Sequence, residues 1–285
     1  MPTRRSATPA PTSTGAGILR PGELARHATV ERVACAPGIA HWVENHWVLR
    51  WDLPDDAVFS SQTLPHPACT LSLELGQPRR GVGADRVVVT GVVTRRFDVE
   101  LSRSGWVLGV KFRPGGLATL ADVDAATLAD RTVPAGELLP AHVVDVLRDI
   151  PAGTPVAAAA EAADAAVAAL VTDAPDADYD LVLAVVADML ADRSLLRVSD
   201  VVERHAILRR RLERLFARYV GVAPKWVLAR YRMHDVVAAL DDGYDGSLAD
   251  LAAAHGWYDQ AHFGRDFTAL VGLPPSRYRA ESAAR

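Results

Sequence analysis

Cysteine is nearly absent from this chain. Its 285 residues include two, Cys35 and Cys69. They lie far apart and in no CxxC pair, which excludes a disulfide framework and a cysteine-based zinc site and points to a reducing cytoplasm. Long apolar runs are missing too. No stretch of about eighteen uninterrupted apolar residues occurs, so no membrane span is expected. The opening "MPTRRSATPAPTSTGAG" has two arginines but no apolar run behind them. It reads as a disordered tail rather than a signal peptide. Neither a Gly-rich phosphate loop nor a G-x-S-x-G elbow is present. An H-x-H metal pair is also lacking. His41 and His46 are five apart with Glu44 between them, and on one strand that odd spacing puts them on opposite faces. His66, in "LPHP", stands alone. No catalytic residue, metal ligand or cofactor is expected from these patterns.

What is there is ordinary in bulk: 49% hydrophobic and 23% charged residues, with length enough for two domains and a sizeable core. The net charge of −4 argues against nucleic acid until the chain is divided. From Ser194 onward there are 14 Lys and Arg against 11 Asp and Glu, a net of +3. The remainder has 17 against 24, a net of −7, and the two give −4. A mildly basic module follows an acidic one, and DNA is a candidate partner for the former.

Along the chain the tail runs to Arg20. His41 to Phe112 is strand-like. "CTLSLELG" alternates, with Leu71, Leu73 and Leu75 on one face and Ser72 and Glu74 on the other, and "RVVVTGVVTRRFDVEL" and "GWVLGVKF" are further β runs. "RPGG", Arg113 to Gly116, is a turn. Short strands with turns imply a barrel-like or sandwich-like domain. Helical, alanine-rich sequence follows, including "PVAAAAEAADAAVAALV" and "YDLVLAVVADMLAD", with "TDAPDAD", Thr172 to Asp178, as a hinge. The expected class is α+β. Residues 1–20 are tail, 21–150 a β-rich barrel-like domain with trailing helices, 151–178 a helical connector and hinge, and 179–285 an all-α domain.

That last region contains a repeat. "VSDVVERHAILRRRLERLFARYVGVAP" aligns with "LADLAAAHGWYDQAHFGRDFTALVGLPP". Val198, Val201 and His205 match Leu248, Leu251 and His255 at an offset of 50. Beyond the turn the offset is 51, matching Arg214 to Arg265, Phe216 to Phe267, Gly221 to Gly272 and Pro224 to Pro275. An insertion confined to a turn is what two copies of one supersecondary unit show. Ser247 and Asp250 form a capping box, and Leu248, Leu251 and Ala252 an apolar stripe. Gly256 permits a tight turn, Asp259 caps the next helix, and Phe263, Phe267 and Leu270 face inward. This is helix, turn, helix. The first copy has Arg197 for the serine cap and Ala206 for the glycine, which predicts a less stable first helix and turn.

The outward faces indicate function. In the first copy Arg209, Arg210, Arg211, Glu213 and Arg214 remain once Leu212, Leu215 and Phe216 turn inward. In the second, Gln260, Ala261, His262, Gly264 and Arg265 remain. Arginine pairs with guanine O6 and N7, glutamine with adenine N6 and N7, and glutamate accepts from cytosine N4. All cluster in the half of the helix that enters the major groove.

These residues resemble the AraC family of bacterial transcription regulators. "GWYDQAHFGRDFTALVGLPPSRYR" is similar to that family's second helix-turn-helix signature, a Gly-aromatic turn, Asp-Gln, His-Phe, Arg-x-Phe, Gly and Pro-x-x-Tyr-Arg. Over Leu195 to Arg279 the resemblance implies seven helices, with two helix-turn-helix units joined by the helix Pro224 to Leu240. It implies base reading by Arg210, Glu213 and Arg214 in the first unit and by Gln260, Ala261, His262 and Arg265 in the second. The earlier part, through "TLPHPACTLSLELG" and "VLGVKFRPGG", resembles more loosely an uncharacterised effector domain found before some AraC-like domains, which implies a cupin-like β-barrel sensor. The partners implied are double-stranded DNA, a small-molecule effector, RNA polymerase, for an activator, and a second copy of the chain. Two enzyme classes compete. A methyl-accepting repair protein needs clustered cysteines, and a cupin metal enzyme needs a histidine cluster. A third alternative keeps DNA binding but gives the first domain only dimerisation or a protein contact. A cavity in that domain distinguishes an effector site from this alternative.

Overall fold

The computed structural model of the chain describes residues 9–76, 85–172 and 174–283. After a short helix α1 (Pro21–Ala25) come the strands β1 (Ala28–Val33), β2 (Val43–Asp52), β3 (Val58–Thr63), β4 (Thr70–Leu75), β5 (Val87–Thr90), β6 (Phe97–Ser102), β7 (Ser104–Phe112) and β8 (Thr132–Pro134). One antiparallel sheet has the order β1-β2-β7-β4-β5-β8, and β3 pairs with β6 as a separate ribbon. The barrel expected from the strand pattern is therefore corrected to an open sheet. Closure would require the two edge strands, β1 and β8, to pair with each other. Helices close over the sheet instead.

Leu71 and Leu73 point into the core as expected, at 0% and 1% exposure. Ser72, expected outward, is buried as well, and so is its cross-strand partner Val88. This part of the sheet is covered on both faces, so alternation overstated the wet side. Beyond the sheet lie α2 (Gly116–Leu120), α3 (Ala141–Arg148) and α4 (Val156–Ala168). Val143, Val144 and Leu147 of α3, with Ala159, Ala163 and Val167 of α4, share one core with Leu71, Leu73, Val89, Leu108 and Val110. The alanine-rich connector thus packs on the sheet, and its small side chains let it lie close.

Seven helices follow among the described residues: α5 (Ala177–Ala191), α6 (Val198–Arg204), α7 (Arg209–Leu215), α8 (Pro224–Asp241), α9 (Leu248–Ala254), α10 (Gln260–Val271) and α11 (Pro275–Ala283). A π-helical turn, Phe216–Val220, extends α7. Two cores meet along α8. Val227, Leu228 and Tyr231 pack with α5, α6 and α7, while Met233, Val236, Val237 and Leu240 pack with α9, α10 and α11. The segment expected to hinge is tied down by Asp176, whose carboxylate caps α5 at the Tyr179 N–H and accepts from the Tyr219 hydroxyl.

The first eight residues of the expected tail lie outside the described residues. The rest of that tail, 9–20, is held rather than loose. Thr12 is 1% exposed. Its carbonyl accepts from the Tyr231 hydroxyl of α8 at 2.6 Å, and its side chain bonds to Glu44 of β2. Arg113 is paired to Glu44 at 3.0 Å and donates to the Ala10 carbonyl. Composition read this stretch as disordered because it has little to bury. Its order comes from backbone carbonyls that find donors on both domains.

Candidate nucleic-acid interface

Each helix-turn-helix unit is built as the repeat predicts. Ser247 Oγ accepts from the N–H groups of Ala249 and Asp250, at 3.1 and 3.4 Å. Asp259 caps α10 by accepting from the His262 N–H at 2.7 Å. In the first unit Arg197 makes no side-chain cap, and Asp200 reaches back to the N–H groups of Leu196 and Arg197. The turn glycine, Gly256, has φ +78°, and its counterpart Ala206 takes φ +46°. An L-residue with a side chain is strained there, which is the local weakness expected of the first copy.

Behind α10 the aromatic rings form a stack. Trp257 meets Phe263, Phe263 meets Phe267, and Phe267 meets Tyr278, with centroids 5.3–5.7 Å apart and edge-to-face. Phe263 and Phe267 are fully buried, and the Trp257 indole N–H donates to Asp266 at 2.9 Å. Arg232 of α8 lies over the Trp257 ring and donates to the Gly256 carbonyl. These contacts fix α10 from behind and leave its other face free.

The residues singled out from the sequence on α7 and α10 lie outside these cores, with Gly264 half-buried. Arg209, Arg210, Arg211, Glu213 and Arg214 of α7 are exposed, and so are Gln260, Ala261, His262 and Arg265 of α10. Some are paired. Arg209 bridges Glu213 at 2.9 Å, and His262 faces Asp266 at 3.2 Å. Arg211 reaches away to Asp178 of α5 at 2.8 Å. Exposed pairs of this kind are weak, so a phosphate or a base can displace them.

The histidines weighed as metal ligands do not converge. His46 is buried on Asp164 of α4 at 2.7 Å, His41 faces Asp180 of α5, and His66 stacks on His234 of α8. Among the described residues no group of three His, Cys, Asp or Glu is placed to hold a metal ion, and no helix is long and apolar enough to cross a membrane.

One feature of the interface escaped sequence reasoning: the first domain grips both units. The equivalent glycines that end the two recognition helices, Gly221 and Gly272, have φ +85° and +86°, and both abut that domain. Gly221 lies against the Ala125 carbonyl, and Gly272 lies under the Arg96 guanidinium. Arg96 donates to the Val271 carbonyl at 2.6 Å. From the other side, Arg218 donates to the Val123 carbonyl and pairs with Asp122 at 2.7 Å. Between these grips Arg230 of α8, 3% exposed, donates to the Thr94 carbonyl at 2.7 Å. His234, 1% exposed, sits beside Thr14, His66 and the Pro65 carbonyl. The buried residues of α8 include Arg230, Tyr231 and His234 and so extend beyond one stripe.

Two paired helix-turn-helix units with open polar faces define a DNA-binding protein. Residues 201–281 match the family model described as a helix-turn-helix domain, and residues 31–134 match one described as a domain of unknown function, DUF6597. The C-terminal part is thus a helix-turn-helix domain, a module that binds DNA. No curated protein matches. Solved structures similar to the chain include an AraC-type transcriptional regulator from Chromobacterium violaceum, at 25% identity over 36% of this chain and 93% of that one, TM-score 0.34. The apo form of a ToxT point variant from Vibrio cholerae matches at 13% identity over 82% and 96%, TM-score 0.38. Wild-type ToxT bound to an unsaturated fatty acid, from the same organism, matches at 12% identity over 94% and 96%, TM-score 0.34.

Proposed function

We propose that one chain reads two adjacent major-groove segments of an operator, one with each unit, and that a small-molecule effector acting on the N-terminal domain sets its DNA affinity. Arg210, Glu213 and Arg214 read the first box, with Arg209 and Arg211 at its flanks. Gln260, Ala261, His262 and Arg265 read the second. The observation that carries this is the pairing of two equivalent, open recognition faces on one chain. The helix between them has 18 residues, about 27 Å at 1.5 Å per residue. That suits boxes about ten base pairs apart on one side of the duplex. The grip of the first domain on both units supports the effector, because a change there reaches both. The protein works in the cytoplasm without catalysis, with RNA polymerase and a second copy of the chain as further partners.

A second assignment gives the N-terminal domain a dimerisation or protein-contact role. It is favoured by the filled interior, where Leu71, Val89, Val110, Phe112, Val143, Ala159 and Val167 are all at 0–1% exposure. Selecting bound DNA from a random pool, with and without candidate ligands, tests both assignments. Two boxes and a ligand-dependent affinity are expected. Five extra base pairs between the boxes should then reduce binding to the one-box level. A single short box indifferent to that insertion refutes two-unit reading, and an affinity that no ligand changes favours the protein-contact role.

A further inference from the structure

Two large apolar side chains stand in solvent at the entries of the two recognition helices. Leu208 is 79% exposed and Tyr258 is 96% exposed, above Val58 at 66%, Val146 at 42% and Leu196 at 38%. Each directly follows the buried residue that closes the turn, Ile207 or Trp257, both 7% exposed. Each also stands at the entry of a recognition helix: Leu208 is the N-cap of α7, and Tyr258 is the residue before Asp259, the N-cap of α10. Single exposed apolar side chains are common and need no cause. Recurrence is different. The inserted residue shifts the two by one position relative to their helices, yet each turn hands an exposed apolar side chain to the entry of its helix.

We propose that Leu208 and Tyr258 contact DNA, each packing on the 5-methyl group of a thymine at the edge of the box its unit reads. This rests on the two-box function proposed above. The place fits, because the entry of a recognition helix is the part that meets base edges. So does the chemistry. A leucine side chain has no donor or acceptor, so Leu208 has nothing to offer a phosphate. Thymine alone among the four bases presents a methyl group in the major groove. The Tyr258 ring supplies the same apolar surface, and its hydroxyl adds a donor of the kind that contacts the backbone. Each unit thus combines polar reading from the face of its helix with one apolar contact at the helix entry.

The test uses the full chain and the operator selected from a random duplex pool. Each thymine of the two boxes is replaced in turn by deoxyuridine, which removes only the methyl group. One position in each box should weaken binding about fourfold, as burial of a single methyl group implies. Leu208→Ala should abolish that sensitivity in one box and leave the other intact. Tyr258→Ala should do the converse, and Tyr258→Phe should retain it. Both side chains are exposed, so the variants should melt with the wild type. A deoxyuridine profile identical to wild type in either alanine variant overturns the assignment of that residue. If the wild type selects an operator but no methyl group matters, this inference fails while two-box reading stands. If it selects no sequence, the proposed function itself fails.

Discussion

Gly221→Ala and Gly272→Ala offer a quantitative comparison, because the two glycines are equivalent in the repeat and differ only in what they abut. Both have φ near +85°, so alanine at either costs about 1–2 kcal/mol from the backbone alone. At Gly221 the new Cβ would lie 2.5 Å from the Ala125 carbonyl oxygen and 2.9 Å from its carbon. Both are backbone atoms of the first domain, and forced overpacking adds about 1–3 kcal/mol. At Gly272 the obstacle is the Arg96 guanidinium, the end of a flexible side chain. It can swing away at the loss of its hydrogen bond to Val271, worth on the order of 1 kcal/mol at this partly exposed site. Gly221→Ala should therefore destabilise by about 2–5 kcal/mol and Gly272→Ala by about 2–3 kcal/mol. The diagnostic is a double-mutant cycle with Arg96→Ala, followed by urea unfolding and tryptophan fluorescence. Arg96→Ala should relieve part of the cost at Gly272, about 1 kcal/mol of coupling, and none at Gly221. Equal coupling at both glycines, or none at either, would refute the grip on the recognition-helix ends.

Three further outcomes are expected. His234 is neutral in the folded protein, since burial first, with Arg230, Lys111 and Arg193 nearby, lowers its pKa to about 3 despite its bond to the Pro65 carbonyl. Its stabilisation is complete above the ordinary value near 6.5 and is lost as pH falls towards 3. Through His234 urea unfolding should thus lose about 2 kcal/mol at pH 5 relative to pH 7, a part that His234→Asn removes while the buried His66 beside it adds its own loss, and a pH profile that the variant leaves unchanged would count against it. Ala206→Gly should stabilise the chain by about 0.5–1 kcal/mol through relief of the positive φ, seen as a raised unfolding midpoint; a lowered midpoint would mean that the turn is unstrained. Arg265→Ala should weaken specific binding by about 1–3 kcal/mol and relax preference at one base pair, measured by titration against single-base operator variants, and a uniform loss on all sequences would reassign Arg265 to a phosphate.

The helix-turn-helix units were legible because local chemistry decides them. Ser247, Asp259, Gly256 and the spacing of Phe263 and Phe267 act within one or two turns of themselves, and the repeat states the pattern twice. The exposed faces followed by subtraction once the inward positions were known. The barrel was not legible. Alternation reveals strands but says nothing of which edges meet, and β3 and β6 leave the main sheet to pair with each other across 33 intervening residues. Residues 9–20 were missed for a related reason: Thr12, Thr14 and Arg20 are ordered by Tyr231, His234 and Tyr278, each more than 200 positions away.

Helix α8 joins these two kinds of information. Its sequence places Val227, Leu228 and Val236, Val237 for two separate cores, which is the local requirement of a linker between two units. The same 18 residues also bury Arg230 and His234 against Thr94, Pro65 and Thr14 of the other domain. Buried polar groups are costly unless partnered, so α8 favours the docked arrangement over a free one. With Gly221 and Gly272 held at the far ends of α7 and α10, the separation of the two recognition helices is set by the first domain as well as by the length of α8.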